Sequence, residues 1–330
     1  MTLTIENLSV TYGDVPALTN VNIKVDPGEI CALMGRSGSG KSSLLRAAAG
    51  IVATTTGTIS VGDRDVTNLA IHERRIGLMF QSYALFPHLN VADNVAFGIA
   101  KHPDRGPRVA ELLALVDLTG FETRAVGDLS GGEQQRVALA RTLAPSPEVM
   151  FLDEPLGSLD TALRQTLLTD ITSILTTMNI PVVYVTHDPT EAFAIADSIT
   201  VLHRGVVNSE GPPRVLWTTP PTAVTARLLD RESVVEAATL PPVIRGDNTG
   251  AVLVPTEAVE LLAVDPPKTW HAPADALEAT VRHVVFAGLS SRATVQCADA
   301  MLTLDTTRDL TRNQKVYITV DAAAVTGLSA

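Results

Sequence analysis

The chain has 330 residues, of which 45% are hydrophobic and 18% charged, and its formal net charge is −11. That length suggests two domains with a core each, and that composition excludes a disordered chain. The acidic balance argues against a broad basic surface for duplex DNA or RNA. The two cysteines, Cys31 and Cys297, form neither a metal-binding cluster nor a disulfide framework, which fits a reducing, cytosolic setting.

Met1–Glu6 lacks a basic n-region and an apolar h-region, so no signal peptide is expected. No apolar run is long enough to span a bilayer, so service at a membrane would require docking onto other subunits. In chain order, Glu29–Met34 reads as a short buried strand. A glycine-rich turn follows, then a Leu/Ala-rich helix over Ser42–Ala49, stopped by Gly50. Val149–Leu152, Pro181–Thr186 and Ile199–His203 read as further strands, with a helix over Leu159–Met178. Strands alternating with helices predict an α/β domain with a mostly parallel sheet.

The pattern changes towards the C-terminus, where proline pairs begin at Pro212-Pro213. Such pairs break helices and mark connectors. Beyond about Glu232 the runs Ala251–Pro255, Ala279–Phe286, Ala293–Cys297, Met301–Leu304 and Val316–Val320 predict a small barrel or sandwich. A boundary near residue 231 gives domains of 1–231 and 232–330.

Gly35-Arg36-Ser37-Gly38-Ser39-Gly40-Lys41-Ser42 fits the G-x-x-x-x-G-K-[ST] pattern. Its glycines let consecutive N–H groups turn inward toward phosphate oxygens. Lys41 adds a charge for the β- and γ-phosphates, and the Ser42 hydroxyl is a ligand for Mg2+. Val149–Glu154 is an apolar run ending in two acids, which a buried strand would place at a sheet's C-terminal edge. Asp153 would hold Mg2+ through water, and Glu154 would act as general base on the attacking water. In Leu129–Arg136, Ser130 and Glu133 have capping-box spacing at the start of a helix. Gly131 and Gly132 are costly in a first helical turn unless a ligand must approach the backbone, so this is a second anion site.

On these motifs, in this order, residues 1–230 resemble the ABC ATPases, specifically their import-type nucleotide-binding subunits. The resemblance implies ATP and Mg2+ as cofactors. It implies a P-loop domain with a RecA-like core, an antiparallel β-subdomain and a helical subdomain at about 86–145. It also implies a head-to-tail dimer, in which Ser130, Gly131, Gly132 and Glu133 complete the ATP site of a second copy. Gln81 then resembles the glutamine that touches Mg2+ and water, and His187 the switch histidine on the γ-phosphate. Asp160 resembles the D-loop residue at the dimer interface, and Tyr12 the aromatic that stacks on adenine. Ser43 closes the ATP-binding set. Arg36 stands where proline is frequent, Ser43 where threonine is, and Glu133 replaces a glutamine.

The cluster Tyr83–Leu89 is expected to dock a membrane subunit's cytoplasmic helix. The C-terminal region more weakly resembles the oligonucleotide-fold-like regulatory domain of import ATPases; its apolar strands suit a core and dimer contact better than a solute sensor. Implied partners are permease subunits and, indirectly, a solute-binding protein, at the cytoplasmic face of the cell membrane. Nucleic acid is not among them. Arg74–Gly77, Phe80-Gln81 and Leu85–His88 look most like the ferric-iron, polyamine and thiamine importers, with ferric iron the first expectation and molybdate or sugar further alternatives. A soluble, non-transport ABC ATPase remains a second class.

Overall fold

The computed structural model describes residues 1–157, 161–231, 233–286 and 288–329. Among these, the chain forms two compact units, Met1–Pro213 and Arg214–Ala330.

In the first unit, β1 (Leu3–Tyr12) and β2 (Val15–Val25) form a long antiparallel hairpin turning at Gly13-Asp14, with Gly13 at φ +59°. β3 (Ile30–Met34) is buried along its whole length. The glycine loop and α1 (Lys41–Ala49) follow, and Gly50 ends the helix in the left-handed conformation. β4 (Thr56–Val61) and β5 (Arg64–Asp65) extend the hairpin into a four-stranded antiparallel sheet. After β6 (Ile76–Met79) come α2 (Val91–Val95), α3 (Arg105–Leu115) and α4 (Gly131–Leu143), which pack around Val91, Val95, Leu112, Leu113 and Leu139.

β7 (Val149–Asp153), α5 (Thr161–Met178), β8 (Val182–Thr186), α6 (Pro189–Ile195), β9 (Ser198–His203) and β10 (Val206–Gly211) complete the unit. The large sheet has the order β10-β9-β3-β8-β7-β6, with β10 its antiparallel edge and the others parallel. Strands covered on both faces must be apolar throughout, which is why β3, β7 and β8 read as unbroken hydrophobic runs. Cys31, on β3, is fully buried against the Thr200 hydroxyl at 3.4 Å, and burial pushes its thiol up to about 11.

The second unit opens with α7 (Pro213–Thr218) and α8 (Ala223–Leu228). The boundary read near 231 falls inside it, because α8 packs Ala223 and Ala226 on Leu253 and Leu328. Then come β11 (Val234–Glu236), α9 (Pro242–Arg245), β12 (Ala251–Leu253), β13 (Val259–Val264), β14 (Leu277–Phe286), β15 (Ser291–Cys297), β16 (Ala300–Thr306), β17 (Lys315–Val320) and β18 (Thr326–Gly327). They form a three-stranded sheet, β11-β12-β18, and a five-stranded one, β13-β17-β14-β15-β16, both antiparallel. The edge strands β13 and β16 approach each other, so the larger sheet curls around Val281, Val295, Leu302 and Ile318. Cys297 is buried in that core, and burial raises its thiol as well.

Candidate functional site

Four neighbouring parallel strands end at one edge of the large sheet, and each delivers one of the expected segments. β3 leads into Gly35–Ser43, β8 into His187, β7 into Asp153 and Glu154, and β6 to Gln81. Parallel α/β sheets bind ligands at this edge because the loops there face one crevice.

The glycine loop is held from two sides. Gly205 donates its N–H to the Ser39 carbonyl at 2.9 Å, and Gly40 lies against the Ala17 carbonyl and Leu18 of β2. A Cβ at Gly35 would come within 2.4 Å of the Ser39 Oγ, and Gly40 sits at φ +109°, so both must stay bare. Lys41 is buried, with its Nζ donating to the Gly35 carbonyl at 2.7 Å and the Arg36 carbonyl at 3.3 Å. Its charge therefore fills the loop. α1 has no side-chain cap and no acid in its first turn, and the buried Ser39 Oγ has no hydrogen-bond partner among the described residues. This curl of bare N–H groups, a cation and an orphaned hydroxyl fits a phosphate chain.

Glu154 adopts φ +43°, a left-handed conformation that is strained for its side chain. Its N–H is tied to the Val185 carbonyl at 3.1 Å. Its carboxylate lies between Gln81, whose Nε2 donates to Oε2 at 3.4 Å, and His187, whose Nδ1 is 3.2 Å from Oε1. Burial, then the Glu154 charge, raise the Asp153 carboxyl, while Lys41 and Arg46 pull it back. Burial lowers the Lys41 ammonium, against the pull of Glu154 and Asp153. Each charge is thus partly uncompensated until an ion pairs with it. The Ser42 hydroxyl, the Asp153 carboxylate and the Gln81 amide are hard oxygen donors of the kind Mg2+ takes alongside phosphate oxygens and water. No trio of His, Cys, Asp and Glu able to hold a metal alone occurs among the described residues.

Ser130 caps α4 as its spacing predicts. Its N–H and Oγ both donate to Glu133 Oε2, at 2.7 and 2.8 Å, and the Glu133 N–H donates back to Ser130 Oγ at 3.4 Å. The Ser130 hydroxyl, then its N–H, hold the Glu133 carboxyl below the usual range. These contacts are local to the first turn of α4. Ser130 and Gly131 are exposed, as is Tyr12 at the end of β1. Asp160 lies outside the described residues.

The Tyr83–Leu89 cluster divides. Tyr83 and Leu85 pack into the helical core, whereas Phe86 stacks on exposed Phe97 at 4.2 Å. Arg141 holds the segment by donating to the Tyr83 and Ala84 carbonyls, both at 2.6 Å. Asn94, fully buried, donates to the carbonyls of Phe86, Leu89 and Asn90 and accepts the Phe86 N–H.

Sequence reasoning missed Arg74 as a support. Its buried guanidinium donates to the carbonyls of Ala47 and Ala48 at the end of α1, and to those of Thr67 and Leu69. It missed Glu191 too, which accepts from the Tyr184 and Thr186 hydroxyls at 3.2 and 2.8 Å just behind His187. Burial, then the Glu191 charge, push the Tyr184 hydroxyl far above the usual phenol range, so it stays a donor. Neither residue sits in a recognisable local pattern, so only the folded geometry reveals them. Pro189 occupies the first turn of α6 behind an Asp188 cap, a favourable place for proline.

A lysine-filled glycine loop beside strand-end carboxylates is the site of a P-loop nucleoside-triphosphate-binding protein. A model of the ABC transporter family matches residues 18–157. The Fe(3+) ions import ATP-binding protein FbpC of Streptomyces coelicolor is 44% identical over 240 residues, covering 72% of this chain and 69% of that one. Its namesake in Brucella abortus is 41% identical over 255 residues, covering 76% and 71%. Among solved structures, a dimeric bacterial ABC transporter cassette, MJ0796, superposes with a TM-score of 0.57 at 31% identity, covering 64% of this chain and 99% of that one. The cassette cbiO1 from Clostridium perfringens gives 0.61 at 27%, covering 65% and 89%. The chain belongs to the ABC transporter family, as one of its ATP-binding ATPases.

Proposed function

We propose that the chain is the ATP-hydrolysing subunit of an importer, acting as a dimer beneath separate permease subunits at the cytoplasmic face of the membrane. The carrying observation is the Glu154 carboxylate held between Gln81 and His187 beside the lysine-filled loop. In this reading Gly35–Ser43 bind the phosphates and Tyr12 stacks on the base. Ser42, Gln81 and Asp153 hold Mg2+, which when bound would neutralise phosphate charge. Glu154 takes the proton of the attacking water, Gln81 orients that water, and His187 donates to the γ-phosphate. Ser130, Gly131, Gly132 and Glu133 serve the second copy's nucleotide, and Asp160 faces the interface between copies. Because each γ-phosphate then touches both chains, ATP favours the closed dimer and its cleavage releases it. The Phe86–Phe97 surface receives the permease. A solute-binding protein delivers the cargo, and the identity to ferric-iron import proteins supports ferric iron as that cargo.

Glu154→Gln tests the reading. The purified variant should bind ATP with Mg2+, turn over at least about a hundredfold more slowly and run as a dimer in gel filtration. Cells relying on it should lose labelled ferric-iron uptake and keep polyamine uptake. Wild-type turnover in the variant would overturn the assignment of the base; unchanged iron uptake with lost turnover would overturn the cargo.

A further inference from the structure

His187 follows β8 in an exposed turn, yet the residues on both sides of it are fixed. Thr186 Oγ accepts the Asp188 N–H at 3.0 Å and donates to Glu191 Oε2 at 2.8 Å, so one hydroxyl straps the turn. Asp188 Oδ1 accepts the Thr190 N–H at 2.8 Å and caps α6. The Glu191 carboxylate, 5% exposed, also takes the Tyr184 hydroxyl from β8. All of these bonds lie within β8 and α6.

One side chain crosses from another element. Arg164, in the first turns of α5, places Nη1 3.3 Å from Asp188 Oδ2 and Nε 3.7 Å from Glu191 Oε1. Its guanidinium is therefore shared between the carboxylate after His187 and the one that straps the Thr186 hydroxyl. A planar guanidinium suits such a bridge, and a partly buried one is screened less than a surface pair. Glu154 closes the figure from β7, with Oε1 3.2 Å from His187 Nδ1.

We propose that Arg164 is a positioning residue that ties α5 to the His187 turn, so that the reach of His187 towards the Glu154 site depends on where α5 sits. This rests on the reading of His187 as the γ-phosphate contact. A helix that carries this tie transmits its own displacement to the histidine, because both carboxylates move with it. An effect of that kind belongs to the chemical step, whereas nucleotide capture by the Lys41 loop is left alone.

The test is a double-mutant cycle on the full chain, read by single-turnover ATP hydrolysis with enzyme in excess, which resolves slow residual rates. Nucleotide affinity and Tm are measured alongside. Arg164→Ala should slow single-turnover hydrolysis about tenfold, with ATP affinity within about twofold of wild type. Glu191→Gln, which keeps acceptors for Thr186 and Tyr184 and drops the charge facing Arg164, should reproduce part of that loss. Arg164→Lys should restore part of it. In a His187→Ala background, Arg164→Ala should have no further effect. Equal slowing by Arg164→Ala in both backgrounds, or a fall in ATP affinity and Tm that accounts for the slowing, would overturn the inference. A His187→Ala variant with wild-type rate would instead overturn the reading of His187 itself.

Discussion

Asp153 is a carboxylate kept in an environment that disfavours its charge. Burial and Glu154 raise its pKa above the unfolded value. For an acid, a raised folded-state pKa means that stability is lost as pH rises through it. The loss is complete once the pH exceeds that raised value, where the group is ionised in both states. Asp153→Asn is therefore expected to raise the Tm of the nucleotide-free protein at pH 7, by less at pH 4, and to remove Mg2+-dependent ATP binding. Scanning calorimetry at the two pH values, beside a nucleotide titration, checks both halves. Glu154 stores strain in its backbone instead, at φ +43°. Together they make the strand end a place where stability is given up, as the proposed chemistry there would require.

At the scale of elements, Arg74 joins the Thr67–Leu69 segment after β5 to the back of α1. Its removal strands the Ala47, Ala48, Thr67 and Leu69 carbonyls, three of these bonds being buried. Arg74→Met should cost about 2–4 kcal/mol of stability, since each buried acceptor left unpaired costs about 1–3 kcal/mol and some regain water. Urea unfolding with an unchanged m-value is the measurement. What could be read in advance follows the range of the interactions. The glycine loop, the acids after β7 and the Ser130–Glu133 box are local patterns with local physics, and the apolar runs of β3, β7 and β8 announce strands buried on both faces. β13 was not legible, because Val259–Val264 lacks a clean alternation, and β11 and β18 are too short to register. The β1–β2 hairpin carries Thr4, Asn7, Asn20 and Asn22 and does not stand out as an apolar run. Arg74 and Arg164 were invisible for the opposite reason: their roles lie in partners that the fold brings together, 26 and 27 positions away for Arg74 and 24 for Arg164.

For the whole molecule, the division into two units with separate cores puts every described residue of the nucleotide site in the first. A ligand stabilises only what it binds, by about 2.7 kcal/mol at a hundredfold excess over its Kd. Calorimetry of the full chain should show two transitions, with ATP and Mg2+ moving one and leaving the other in place. A single transition moved as a block would show that the units unfold as one. No helix among the described residues is long and apolar enough to cross a membrane.

The two thiols have a practical consequence. Cys31 lies inside the central sheet with its proton held to about pH 11, and Cys297 lies inside the curled sheet of the second unit. A buried, protonated thiol is a poor nucleophile, so maleimide dyes should pass both over in the native protein. The wild-type chain is thereby a silent background for spectroscopy. A single cysteine introduced at an exposed position away from the glycine loop would take one spin label per copy, and the distance between labels would report whether the proposed pair opens and closes with nucleotide.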